Sequence, residues 1–299
     1  MGVARARRVL HDLQAGCAGD VVSPAVEERW IGVACDWNDV RVRLIRPSGV
    51  TAPLPVIVYV HGGGWMFGDS LTHDRLVREL AVGARAAVAF VDYDRSPEAQ
   101  YPAAIEQTYA VAEWVTRHGM REALDPARMA IAGDSEGGAI AAAVTLLAKD
   151  RGTVAFAHQL LLYPVTDAAQ DTSSYREFAE GPILTAAAMT VFWDNYLPEV
   201  ALRADATASP LRAPLGRLRG LPPALVVVCE NDVLRDEGES YARRLAAAGV
   251  PTTSVRFNGV LHDFMVLNPL RAAPPTDTAI ELVSAVLRKV LAPRGTRSP

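Results

Sequence analysis

The chain has 299 residues, half of them hydrophobic, and a formal net charge of −4. That length can bury a substantial core, yet no apolar run approaches the ~20 residues of a membrane span. Beyond Arg5, Arg7 and Arg8 no basic cluster supports nucleic-acid binding. The three cysteines, Cys17, Cys35 and Cys229, are scattered and odd in number, so neither a disulfide framework nor a zinc site is indicated.

Residues 1–20 suit an amphipathic helix, not the apolar core of a signal peptide, so a cytoplasmic protein without a membrane partner is expected. The pair 27–33 and 39–46 reads as a hairpin at a sheet edge, since Arg41 to Arg46 alternates with period two. Val56–Val60 and Ala87–Val91 are short β-branched runs, the pattern of strands buried on both faces. Met129–Ala132, Gln159–Tyr163 and Ala224–Cys229 repeat it, and Thr253–Phe257 returns to alternation as an exposed last strand. Helical patterns fall between them at 71–83, 101–119, 138–150, 236–248 and 276–291. Pro102 is placed at a helix start and Gly249 at a helix stop. This alternation predicts an α/β fold with a mostly parallel sheet covered on both faces. No repeat or linker argues for a second domain. Residues 166–210 interrupt the alternation with an aromatic helical pattern containing Phe192, Trp193 and Tyr196, which fits either a packed surface element or a lid.

Two glycine-rich joints carry chemistry. Gly133-Asp134-Ser135-Glu136-Gly137 lies between a buried strand and an alanine-rich helix, the arrangement of a nucleophile elbow. His61-Gly62-Gly63-Gly64-Trp65 follows another buried strand and can aim bare N–H groups into a cavity, as the oxyanion of an acyl transfer requires. A nucleotide site is disfavoured, because neither GxGxxG nor GK[ST] occurs. A serine needs a base, and the base needs a carboxylate. Of the six histidines (His11, His61, His73, His118, His158 and His262), His262 follows the last strand and therefore shares the sheet edge with Ser135. Glu230, Asp232, Asp236 and Glu237 follow the preceding strand. Asp232 is preferred because it lies in the loop, while Asp236 and Glu237 fit a first helical turn. Asp263 is a weaker rival, since neighbours in an extended segment point apart.

With these residues in hand, the chain resembles the hormone-sensitive-lipase-like family of α/β-hydrolases over about 55–295. The resemblance rests on His61 to Trp65, Tyr93-Asp94-Arg95-Ser96-Pro97-Glu98 with Tyr101 to Ala104, Gly133 to Gly138, Ser209-Pro210-Leu211, Asp232 to Gly238 and His262-Asp263-Phe264. It implies an eight-stranded α/β-hydrolase domain over 1–299, with a helical cap from about 1–20 and 166–210. Ser135 would be the nucleophile, His262 the base and Asp232 its orienting acid, with the N–H groups of Gly63, Gly64 and Glu136 as the oxyanion hole. Neither cofactor nor metal is required. Dimerisation through the edge strand near 253–257 is implied by the same resemblance.

Two departures stand out. Relatives carry a small apolar residue where this chain has Glu136, whose side chain would either cap its own helix or touch substrate. The segment 93–98 differs from the usual Tyr-Arg-Leu-Ala-Pro-Glu and is expected to support the site from behind. The expected activity is cleavage of short-chain or small aromatic carboxylic esters, falling as His262 protonates at or below about pH 6.5. Trp65, Phe67, Phe192, Trp193, Leu261 and Met265 are candidate pocket residues. The same triad would serve an acetylhydrolase, amidase or acyltransferase on a secondary metabolite, and the fold also hosts non-catalytic small-molecule receptors.

Overall fold

The computed structural model describes residues 2–15, 24–181 and 183–293. Cys17 and the last part of the expected N-terminal cap segment lie outside them. The strands are β1 (Val26–Val33), β2 (Val40–Pro47), β3 (Leu54–Val60), β4 (Ala87–Asp92), β5 (Leu124–Asp134), β6 (His158–Leu162), β7 (Ala224–Asn231) and β8 (Thr252–Leu261). They form one sheet in the order β1-β2-β4-β3-β5-β6-β7-β8. β1 pairs antiparallel with β2, and β2 antiparallel with β4, while every pairing from β4 through β3 to β8 is parallel. The hairpin therefore caps one edge and β8 is the other, as the alternation of Arg41–Arg46 and Thr253–Phe257 predicts.

The helices are α1 (Val3–Ala15), α2 (Asp74–Ala84), α3 (Ala103–His118), α4 (Glu136–Arg151), α5 (Ser173–Glu177), α6 (Ala186–Tyr196), α7 (Leu215–Leu218), α8 (Arg235–Ala247) and α9 (Pro274–Val290). Two apolar cores lie on opposite faces of the sheet. One joins alternate residues Val56, Val58 and Val60 to α3, α4 and α8, and the other joins Ile57 and Tyr59 to α2 and α9. Every residue of β3 is buried, which explains why its sequence is continuously apolar instead of alternating. Pro102 precedes α3 and does not begin it, while Gly249 adopts φ +82° just past α8 and ends it as expected. Among the described residues no helix is long and apolar enough to cross a membrane.

The two segments outside the strand–helix alternation both reach the C-terminal edge of the sheet. Arg7 on α1 donates to the carbonyls of Met66 and Ser96 and pairs with Glu98. Gln14 donates to the carbonyls of Thr72 and Val266. On α6, which Thr185 caps by accepting from the Ala188 N–H, Trp193 and Tyr196 pack on Trp65.

Candidate active site

The turn between β5 and α4 is built around steric limits. A methyl on Gly133 would lie 2.3 Å from the Gly137 carbonyl oxygen, and one on Gly137 would lie 2.2 Å from that of Val60. Only glycine lets strand, turn and helix approach so closely. Ser135 between them has φ +54°, a conformation L-residues rarely adopt, and its N–H is held by the Leu162 carbonyl at 2.9 Å. The turn places its hydroxyl at the N-terminus of α4.

Two further loops at the same sheet edge, after β7 and after β8, complete the constellation. His262, just past β8, has Nε2 3.0 Å from Ser135 Oγ and Nδ1 2.7 Å from Asp232 Oδ2. Asp232 follows β7, and its other oxygen accepts the Leu234 N–H at 3.0 Å. A proton on Nδ1, donated to Asp232, leaves Nε2 free to accept from the serine hydroxyl. Ser135 is 5% exposed and His262 3%, so the contacts lie in a nearly dry setting. Burial opposes a charged imidazole, but Asp232, Asp263 and Glu136 outweigh it and push the His262 pKa up to about 9. The expectation of activity lost at or below about 6.5 took an unperturbed imidazole; the carboxylates around the ring, which the loop sequence did not reveal, favour its protonated form.

The rival acids go elsewhere. Glu230 accepts from the Gly259 N–H, Asp236 from the Ser174 N–H, and Glu237 is buried against the Thr166 N–H. Asp263 comes closer than the extended-chain argument allowed. Its φ of +60° turns the segment, bringing Oδ1 within 3.5 Å of His262 Nε2. It faces the serine side of the ring, and Asp232 alone meets Nδ1. Of the other histidines, His61 stacks on Tyr93 at 4.2 Å, and burial together with nearby His73 lowers its pKa to about 3. His158 opens β6 at the opposite edge of the sheet.

The glycine loop after β3 turns back on itself, the Phe67 N–H reaching the Gly63 carbonyl at 2.8 Å, with Gly63 and Gly64 at φ +122° and +65°. Gly64 lies directly under Phe192, since a methyl there would sit 2.5 Å from the ring. The 93–98 segment braces this loop as expected. Tyr93 Oη donates to the His61 carbonyl at 3.0 Å, Arg95 to that of Gly68, and the Ser96 N–H to that of Trp65.

Of the six candidate pocket residues, Phe67 and Phe192 are half-buried and face each other edge-on at 5.5 Å beside Gly64, and Leu261 is half-buried at the end of β8. The other three are corrected. Trp65, Trp193 and Met265 are at most 1% exposed. Trp65 stacks on Tyr196 at 4.1 Å and meets Trp193 at 4.8 Å, and Met265 belongs to the core beneath the sheet. Such side chains pack the walls and offer no surface to a ligand.

Sequence reasoning missed the support behind the nucleophile. Asp134 Oδ1 accepts from Tyr59 Oη at 2.6 Å and Oδ2 lies 3.2 Å from His73 Nε2, all three side chains being buried. Asp134 sat inside the elbow motif, but nothing in the chain connected it to His73, 61 residues away.

The family model for the α/β-hydrolase fold matches residues 57–266. A carboxylesterase of Mycobacterium tuberculosis is 43% identical over 227 residues, 75% of this chain and 70% of that one. An ethyl acetate hydrolase of Pseudomonas putida is 33% identical over 264 residues, covering 87% and 82%. The crystal structure of a thermostable esterase from Pseudomonas putida superposes with a TM-score of 0.95 at 46% identity, covering 97% of this chain and 91% of the other. Motif, sheet order and these likenesses agree: the chain belongs to the hormone-sensitive-lipase-like family of α/β-hydrolases and is a carboxylesterase-type hydrolase.

Proposed function

We propose that the protein hydrolyses short-chain or small aromatic carboxylic esters through an acyl-enzyme on Ser135. The observation that carries this reading is the continuous Ser135–His262–Asp232 hydrogen-bond chain, with contacts of 3.0 and 2.7 Å. His262 Nε2 takes the serine proton as Oγ attacks the ester carbonyl, and Asp232 holds the ring and stabilises the imidazolium. Negative charge on the carbonyl oxygen is met by the N–H groups of Gly63, Gly64 and Glu136. The alcohol departs with the proton from His262, and a water molecule repeats the sequence on the acyl group.

The preference for small acyl groups is supported by the aromatic edges of Phe67 and Phe192 beside Gly64, and by the ethyl acetate hydrolase among the relatives. α1 and the 166–210 segment serve as the cap, and β8, whose outer edge is unpaired among the described residues, is the proposed homodimer edge. A panel of p-nitrophenyl esters of increasing acyl length, run with fluorophosphonate labelling, tests the reading. Wild type should be labelled and should favour acetate to butyrate. Ser135→Ala should lose label and about 10⁴-fold or more in kcat/KM. A Ser135→Ala protein that retained its activity would refute the assignment.

A further inference from the structure

Asp263 follows His262 directly and takes no part in the steps above. Its φ of +60° lies in the left-handed region, which aspartate and asparagine tolerate better than most residues. The turn is fastened through the backbone, the Asp263 carbonyl accepting the N–H groups of Val266 and Leu267 at 2.9 Å each. With the backbone so turned, Asp263 Oδ1 lies 3.5 Å from His262 Nε2. Oδ1 is buried and has no hydrogen-bond partner among the described residues. The same Nε2 meets Ser135 Oγ at 3.0 Å. While Nε2 accepts from the serine, its lone pair faces the lone pairs of Oδ1, and the carboxylate has nothing to receive. Once Nε2 carries a proton, the same oxygen faces an N–H. Asp232 meets Nδ1 at 2.7 Å, so the two carboxylates act on opposite sides of the ring.

We propose that Asp263 is a positioning residue that steadies the imidazolium of His262 on its serine side, its Oδ1 gaining a donor only after Nε2 has taken the serine proton. The proposal rests on the acyl-enzyme reading above. As Ser135 Oγ bonds to the ester carbon, its O–H bond breaks and the proton passes to Nε2. The new N–H lies between the leaving oxygen and Asp263 Oδ1. When the ester C–O bond breaks, that proton goes to the departing alcohol, and Asp263 neither gains nor loses one. An interaction that appears only with the charged ring lowers the barrier. It carries a penalty at lower pH, because the same carboxylate favours a resting imidazolium that cannot accept the serine proton. Burial raises the pKa of Asp263 against the pull of His262. Its charge is therefore complete on the alkaline side, where the base is also neutral. The other ionisable groups that act on the pair are Glu136 on α4, Asp134 on β5, Tyr59 on β3, Tyr163 after β6, Cys229 on β7 and His73 before α2.

The test is the pH profile of kcat/KM for p-nitrophenyl acetate in wild type and Asp263→Asn. Asparagine keeps the shape, tolerates the left-handed turn and cannot ionise. The acid limb reports the free-enzyme pKa of His262, about 9 in wild type. Without the neighbouring charge it should move to lower pH by about one pH unit. The alkaline plateau should fall about threefold, because a less basic His262 is a weaker proton acceptor, and the two profiles should cross. A carboxylate that only shaped the turn would lower the whole profile in parallel and leave the limb in place. A proton NMR titration of the His262 ring should show the same displacement with no substrate present. An unmoved limb, or an unmoved imidazole titration, overturns the proposal. Should Asp263→Asn fail to fold, Asp263→Gly, which adopts this φ freely, replaces it with the same expected displacement. If wild type takes no fluorophosphonate label and cleaves no ester, the hydrolase reading itself has failed and this inference falls with it; labelled, active enzyme with an unmoved limb sinks the role of Asp263 alone.

Discussion

Ser135 stands between two buried acids that differ in how they are held. Asp134, at the end of β5, accepts from Tyr59 and His73; burial favours its neutral form, but His73 and Tyr59 outweigh that and lower its pKa. Glu136, at the start of α4, has one long contact to Tyr93 and an orphaned oxygen, and burial prevails. Both lie near the glycine loop: a methyl on Gly62 would sit 2.2 Å from Asp134 Oδ2, and Tyr93 Oη, which donates to the His61 carbonyl, lies 3.4 Å from Glu136 Oε1. Depth is thus the same on the two sides. What separates a structural charge from a tunable one is the number of donors within reach.

The largest consequence of this contrast should be seen on the Asp134 side. Asp134→Ala strands the Tyr59 hydroxyl and His73 in the interior, and should cost about 3–5 kcal/mol of stability in urea unfolding followed by tryptophan fluorescence. A loss under about 1 kcal/mol would mean that the pair contributes little, as exposed ion pairs do, and the contrast with Glu136 would collapse.

Removing the charge on the other side should have the opposite sign. The folded-state pKa of Glu136 is raised from 4.5 to about 7. Its favourable contribution is therefore complete below the unfolded value and is lost as pH rises to about 7, because over that interval the unfolded chain has released the proton that the folded chain still binds. Glu136→Gln does not carry this liability. Its stability relative to wild type should grow with pH and level off near 7, by about 3 kcal/mol. Asp134 has the reverse slope. Its folded pKa is lowered, so its contribution holds above the unfolded value and fades as pH falls. Unfolding free energies of the three proteins across pH would separate the two carboxylates without any activity assay.

The sequence made one side of this comparison readable and hid the other. In a parallel sheet the strand C-termini gather at one edge, so the order Ser135, Asp232, His262 and the glycine loop followed from strand runs and loop positions alone. The strands themselves were legible because burial on both faces forces continuous β-branched stretches, as in β3. Side-chain direction obeys no such rule. Glu136 was visible as an oddity, but whether a residue at the first helical position points to solvent, to substrate or into the interior depends on what packs above it, here Tyr93. Trp65, Trp193 and Met265 misled for a related reason: a pocket wall and the core behind it draw on the same apolar residues, and only packing separates them. Asp263 escaped because its left-handed backbone breaks the extended geometry from which its neighbours' directions were inferred.

The finest test compares two tyrosines in equivalent places. Tyr59 Oη donates at 2.6 Å to Asp134, whose lowered pKa keeps it charged, whereas Tyr93 Oη donates at 3.0 Å to the neutral His61 carbonyl and only approaches Glu136 at 3.4 Å. Both rings are buried and stacked, Tyr59 on Phe90 and Tyr93 on His61, so replacement by phenylalanine preserves the packing and isolates the hydroxyl. A hydrogen bond to a charged group is worth about 2 kcal/mol and one between neutral groups about 1 kcal/mol. Tyr59→Phe should therefore destabilise about twice as much as Tyr93→Phe near neutral pH, by equilibrium unfolding. Tyr93→Phe should also leave Glu136 with one polar neighbour fewer and move its infrared titration to higher pH, an effect Tyr59→Phe should not reproduce. Equal losses from the two variants, with the Glu136 band unmoved in both, would show that the asymmetry around Ser135 does not come from these donors.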